Sequence, residues 1–342
     1  MQFFRLWPRY FAAAKMMKRR ENMKKTLTLA LGAMMLAGMA TTSEAAINRA
    51  DQFITVLTGP TSGIYFPIGG AFDKALKDYG YNSSSTATGA SGENINAILT
   101  GQGELAIAMS DAVLQAYDAY GAFQNKKPAK NLKMLMSLWP NYVQLVTTED
   151  SGIKSFADLK GKRVGVGAPN SGVEVNARMM FEAHNMSYKD CKIDYLSYGE
   201  GIKQMMNGQC DAAFVTSGLN NATINELGTV KKIYIVPIEG EARERLMKKY
   251  PCYSTGLIPK DVYNTANDTQ TATVMNIMLV SDKLSDELVY DIMEGINKNV
   301  ATIQASHKTA AKNIVPDFYL RAKPIPFHPG AVKWYKDHGY KF

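Results

Sequence analysis

The chain has 342 residues, 46% of them hydrophobic and 20% charged, with a formal net charge of +8 at pH 7. Residues 1–45 hold eight Lys or Arg and two acids, so taking them from totals of 39 and 31 leaves 31 and 29, about +2. The remaining basic and aromatic residues are dispersed, which excludes the stripe that nucleic-acid binding needs, and the three cysteines form no CxxC pair or Cys/His cluster of a structural metal site.

In chain order, Lys24 and Lys25 precede an apolar run from Leu27 to Ala40, and Ser43 and Ala45 stand at −3 and −1 of a cleavage site. That is the anatomy of a secretory signal peptide. Its apolar run of 14 residues is short of the roughly 20 a membrane span needs. Met17 or Met23 is a better initiator than Met1, and no cysteine follows the cut to take a lipid. The expected mature chain, residues 46–342, is periplasmic and long enough for one large or two medium domains. Cys191, Cys210 and Cys252 permit a single disulfide, with the pairing left open.

Short apolar runs then alternate with amphipathic segments. Phe53–Leu57 reads as a strand and Pro67–Tyr79 as a helix with Pro in its first turn. Strand Ser83–Thr88, helix Glu93–Thr100, strand Leu105–Met109 and helix Asp111–Tyr120 follow. Leu132–Leu138 and Tyr142–Thr147 read as two strands split by "WPN". The pattern restarts with strand Val164–Gly167 and helix Val173–Asn185, then strand Ile193–Leu196, helix Gly201–Asn207, strand Ala212–Thr216, helix Asn220–Leu227 and strand Ile233–Val236. Such alternation predicts parallel βαβ units. After Tyr250 come extended "YSTGLIP", strand-like "TATVMNIMLV" and one long helix from Asp286 to about Ala305. The aromatic, Pro-rich tail from Ala322 is expected to pack on the first lobe.

No catalytic constellation stands out. "GVGAPNSG" lacks the third glycine of a dinucleotide loop, with Asn170 in its place, and none of His184, His307, His328 and His338 has a nucleophile motif beside it. What recurs instead is a Gly, Ser or Asn turn between strand and helix: "TGPTSGIYFPIGG" (58–70), "TGASGEN" (88–94), "GAPNSGVE" (167–174), with Ser110 and Asp111 behind "LAIA" as a fourth. Helix N-termini present unpaired N–H groups and partial positive charge. Open α/β sheets bind ligands at the carboxyl ends of their strands, so converging turns of this kind suit a small anion held by backbone donors and hydroxyls.

The segments "GIYFPIGGAF", "TGASGENINAILTGQGELAIAMSD", "SGIKSFADLKGKRVGVGAPNSGVEVNA", "DAAF" and "KPIPFHPGAVKWYKDHG" resemble, in order and spacing, the TAXI family of solute receptors of TRAP transporters. The resemblance implies a type II periplasmic-binding-protein fold of two α/β lobes with a hinged ligand cleft. Residues 46–145 and 253–342 would form lobe 1 and 146–252 lobe 2. It also implies an integral-membrane TRAP permease as partner, no cofactor, and a small anionic solute such as glutamate or 2-oxoglutarate. Carried over residue by residue, the ligand-binding positions would be Ser62, Gly63, Tyr65, Ser91, Asn94, Ser110, Asp111, Trp139, Asn170, Ser171, Gly172 and Val173. Tyr65 and Trp139 would form apolar walls, and Asp111 would cap its helix or accept from a ligand amine. Arg178 is the nearest candidate for a carboxylate clamp. The chain departs from the family at Met109 (often Gln), at Trp139 and Asn141 (often Tyr and Glu), and at Gly92 (often larger). Hinge strands are expected near Tyr142–Thr147 and Ser254–Leu257. The alternatives are a receptor for an ABC transporter or a sensory system, and a secreted enzyme, for which Asp111 is the sole titratable group in the loops.

Overall fold

The computed structural model describes residues 47–341, and the expected signal peptide falls outside them. Strand β1 (Phe53–Leu57) leads through the Gly-rich turn into helix α1 (Tyr65–Asp78). Ile68, Phe72, Ala75 and Leu76 of α1 fall on one buried stripe, the spacing that packs a helix on a sheet. Then come β2 (Asn82–Thr86), α2 (Ser91–Thr100), β3 (Leu105–Met109) and α3 (Ser110–Asp118). The fully buried "LAIAM" of β3 is what a central strand covered on both faces requires.

Strand β4 runs unbroken from Lys133 to Thr148, where the sequence suggested two strands. Pro140 sits inside it, opposite Met275, next to a register irregularity in the partner strand. A strand proline is tolerated where the ladder is already interrupted. The second series follows: β5 (Arg163–Gly165), α4 (Gly172–Ala183), β6 (Lys192–Asp194), α5 (Tyr198–Met206), β7 (Ala212–Ser217), α6 (Ala222–Gly228) and β8 (Ile233–Val236). Next are α7 (Gly240–Lys249), β9 (Tyr253–Ile258) and the long β10 (Thr269–Val280). The expected single helix at 286–305 is two, α8 (Asp286–Lys298) and α9 (Val300–Gln304), parted at Asn299. Helix α10 (Pro329–Asp337) ends the described chain, with Pro at its first position.

The main path of the sheet reads β2-β1-β3-β10-β4-β7-β5-β6, with β8 beside β4 and β9 beside β10. β1, β2 and β3 are parallel, as are β5, β6 and β7, but β4, β8, β9 and β10 pair antiparallel. The strands that pass from one lobe to the other are therefore β4 and β10. The segment 254–257, expected to be a hinge, forms β9 on the flank of β10.

Each lobe has its own apolar core. The first gathers Ile54, Ile68, Phe72, Ile107 and Leu138 with Met278, Ile292, Tyr319, Trp334 and Tyr335, so the aromatic tail does close the first lobe. The second gathers Leu145, Val164, Phe181 and Phe214, together with Tyr253, Ala272 and Val274 from β9 and the first half of β10. A neighbouring cluster of Val146, Ile202, Val215 and Ile235 completes it. All three cysteines are free. The Cys191 thiol points at the Leu159 carbonyl and that of Cys210 at the Ala212 carbonyl. Among the described residues no helix is long and apolar enough to cross a membrane.

Candidate functional site

The first turns of α1, α2 and α3 from one lobe, and of α4 and α5 from the other, follow the carboxyl ends of the strands and meet beside the paired β4 and β10. Between them lies a cavity lined by Gly63, Ile64, Tyr65, Ala90, Asn141, Val173, Tyr198 and Thr216, among others. Its volume is about 20 Å³, on the order of a single water. The lobes are thus closed on each other. None of the lining residues carries a charge.

Side-chain amides and phenols form the cavity's polar floor. Trp139 Nε1 donates to Asn141 Oδ1 (3.0 Å), and Asn141 Nδ2 donates to Asn276 Oδ1 (3.1 Å). Asn276 Nδ2 donates to the Trp139 carbonyl (2.9 Å), and the Tyr65 hydroxyl donates to Asn276 Oδ1. The Tyr65 and Trp139 rings meet edge to face at 5.7 Å and 86°, a geometry worth about 0.5–1.5 kcal/mol beyond its buried area. From the second lobe the Tyr198 hydroxyl donates to the Thr216 carbonyl (2.5 Å). Burial pushes the Tyr65 and Tyr198 phenols up, so both stay protonated at neutral pH. The Thr216 hydroxyl is fully buried and has no partner. Ala90, also on the lining, holds a φ of 71°, a conformation costing a non-glycine residue about 1–3 kcal/mol.

The twelve positions singled out from the sequence fall into three groups. Gly63, Tyr65 and Val173 line the cavity. Ser62, Ser91, Trp139, Asn170, Ser171 and Gly172 surround it at the seam between the lobes. Ser62 faces Gly199, Trp139 packs on Tyr65, and Ser171 caps α4 by accepting from the Glu174 N–H. A Cβ at Gly172 would stand 2.7 Å from Ser91 Oγ, and one at Gly92 would stand 2.1 Å from the Asn170 carbonyl oxygen. Both glycines lie at contacts between the lobes.

Asn94, Ser110 and Asp111 sit elsewhere. The Asn94 amide donates to the Thr58 and Ile107 carbonyls (2.7 and 2.8 Å) and accepts from Thr88 (2.7 Å). It braces β1 against β3 and has nothing left for a solute. Asp111 is fully buried and accepts from Asn176 Nδ2 (2.5 Å) and the Tyr253 hydroxyl (2.7 Å). It ties α3 of one lobe to α4 and β9 of the other, in place of the expected ligand amine. Burial raises its carboxyl to about 6, against the hydrogen bonds from Tyr253 and Asn176 that favour the charge. Ser110 opens onto a different groove, described below. Arg178 does not reach the cleft: its guanidinium pairs with Glu174 (2.5 Å) and lies 4.7 Å from the Tyr188 ring.

Reading the sequence missed Tyr198, Thr216 and Asn276. Asn276 had a visible signal, a lone amide in the apolar run "TATVMNIMLV". A buried strand carries such a group only where it is hydrogen-bonded.

Two α/β lobes joined by a pair of crossing strands, with helix N-termini facing a shared cleft, define the two-lobed fold of periplasmic solute-binding proteins. The chain belongs to the NMT1-like family, which it matches over residues 56–339. Among solved structures it is similar to PhnD1 from Prochlorococcus marinus in complex with methylphosphonate, at 11% identity over 75% of this chain and 90% of that one, TM-score 0.51. It also aligns with a binding-protein component of an ABC phosphonate transporter from Pseudomonas aeruginosa (15% identity, 75% and 80% coverage, TM-score 0.48). A further match is the alkanesulfonate-binding protein from Xanthomonas axonopodis pv. citri bound to MOPS (14% identity, 86% and 82% coverage, TM-score 0.47).

Proposed function

We propose that this protein is a periplasmic receptor that captures a small anionic solute between its lobes and delivers it to an integral-membrane permease. The observation that carries the reading is the uncharged cavity at the meeting point of the helix N-termini, with the unpartnered Thr216 hydroxyl in its wall. Backbone N–H groups at helix starts hold an anion without a side-chain cation. The methylphosphonate in the PhnD1 complex is likewise a small anion.

Asp111 is not part of the cavity lining, and its Oδ2 is taken by Asn176 and Tyr253, so the site offers no carboxylate to an ammonium group. Acids lacking an amine, such as 2-oxoglutarate, therefore fit better than glutamate. A five-carbon diacid needs several times a water's share of about 30 Å³, so capture requires the lobes to part and reclose around it, a hinge motion. For the permease, the names of the structural neighbours, which include an ABC transporter component, favour the ABC type. The TAXI-like segments favour a TRAP permease, and the permease gene beside this one separates the two.

The test is a thermal-shift screen of the ligand-stripped protein against amino acids and against mono-, di- and tricarboxylates, phosphonates and sulfonates. A solute at about 1,000 times its Kd adds roughly 4 kcal/mol to stability. A hit among the acids that disappears in Tyr65→Ala supports the receptor reading. Silence across every class overturns it.

A further inference from the structure

Side chains alternate across a strand, and β4 and β10 use that alternation at their crossing. Asn141 lines the cavity, and Asn276 accepts from it and from Tyr65 on the same side of the sheet. Pro140 and Met275, directly paired one residue away from them, face the opposite side of the sheet. There they floor a second groove, of about 530 Å³, on the rear of the hinge. One wall comes from the first lobe, Ser110 on α3 and the segment from Arg321 to Pro324. The other comes from the second, with Pro251, Cys252 and Ser254 before and on β9.

Three features of this groove point to a ligand. Ser110 is 2% exposed and lines the groove, and its buried hydroxyl has no hydrogen-bond partner, a cost the fold bears for no structural gain. The exposed Arg321 guanidinium makes no ion pair with any described residue and lies 5.8 Å from the Phe318 ring. No acidic residue lines the groove, and Pro140, Met275, Leu114 and Pro324 give it an apolar bed. We infer that the rear groove binds a small amphiphilic anion, with its acid group at Arg321 and Ser110 and its short apolar body along Pro140 and Met275, and that this ligand holds the lobes closed.

The second half follows from geometry. Two bodies that pivot on crossing strands close at the front as they part at the rear. The front cavity here is about 20 Å³ and the rear groove about 530 Å³. Opening the front narrows the rear, so a molecule filling the groove favours the closed arrangement by its differential affinity for the two states. The groove shares no lining residue with the front cavity, so the inference holds whichever solute is carried there, and through closure each ligand favours the other.

Hexane-1-sulfonate is the probe, titrated calorimetrically into the full protein, with hydrogen exchange followed at residues 91–94 and 170–176. Saturable binding is expected. Arg321→Glu, and separately Ser254→Trp at an exposed position that fills the groove, should weaken it about tenfold or more. Tyr65→Ala at the front should leave it within about twofold. In the wild type the probe should slow exchange at the seam, and in Arg321→Glu it should not. No saturable binding overturns the proposal, as does binding that survives both rear variants or is lost in Tyr65→Ala. Binding without any slowing of exchange overturns the coupling to closure.

Discussion

Replacing Gly92 with alanine isolates lobe closure from folding. Gly92 lies in the first turn of α2, with no positive φ, so alanine suits the helix and should add about 0.5–1 kcal/mol to its intrinsic stability. The added Cβ would stand 2.1 Å from the Asn170 carbonyl oxygen across the seam. That oxygen is backbone in a turn where Asn170 already holds a φ of 60°, so it cannot swing aside as a side chain would. Restoring contact requires the turn to retreat by about 1 Å. Overpacking of that size costs about 1–3 kcal/mol, and here the cost falls on the closed arrangement alone. The open population should rise about 5- to 150-fold. Hydrogen exchange reads this directly, since amides protected by closure exchange in proportion to the open population. Segments 91–94 and 170–176 should exchange faster by that factor, and the cores of both lobes by a smaller one, because the helix gain offsets part of the cost against the unfolded state. Unchanged exchange at both segments would refute the idea that this contact governs closure.

Three further outcomes follow from the cleft. Asp111 has its carboxyl raised by burial to about 6, so the stability tied to its neutral form is present at low pH and lost as pH rises through about 6. Asp111→Asn should remove that slope between pH 4 and 6 and gain on the order of 3 kcal/mol above it, read as the difference between the two proteins in melts across pH. Thr216→Val removes a buried hydroxyl without a partner; urea unfolding should show equal or greater stability, and calorimetry with the captured solute should show weaker binding. Asn276→Leu strips Tyr65 and Asn141 of their shared acceptor and should cost about 1–3 kcal/mol in urea unfolding.

Much of the first lobe was legible because its signals are local. The apolar runs 53–57 and 105–109, like 233–236 in the second lobe, are strands with the expected limits, each bounded by turn residues. The "WPN" step misled because proline ordinarily ends a strand. Only the register irregularity opposite Pro140, supplied by a strand far along the chain, explains its place inside one. Helix α7 went unseen since just Ala242 and Leu246 of its ten residues are buried, too few to mark a stripe. The antiparallel strands were hidden for the same reason as the cavity residues Tyr198 and Thr216 and the supporting Asn276: pairing across distant segments leaves no periodicity to read. The Gly-rich turns, by contrast, announced the helix starts that frame the cleft, and Gly63, Tyr65 and Val173 with them.

Strand β10 completes the sheets of both lobes, yet it comes late in the chain. Until it is made, β3 has no neighbour on one edge and β4 lacks its partner over residues 133–142. Neither lobe can finish folding on its own schedule, because loop closure over so long a stretch must precede the contacts that reward it. A chain wired this way folds slowly and as one piece. Its nascent first half carries an open strand edge, the feature to which a holding partner would bind.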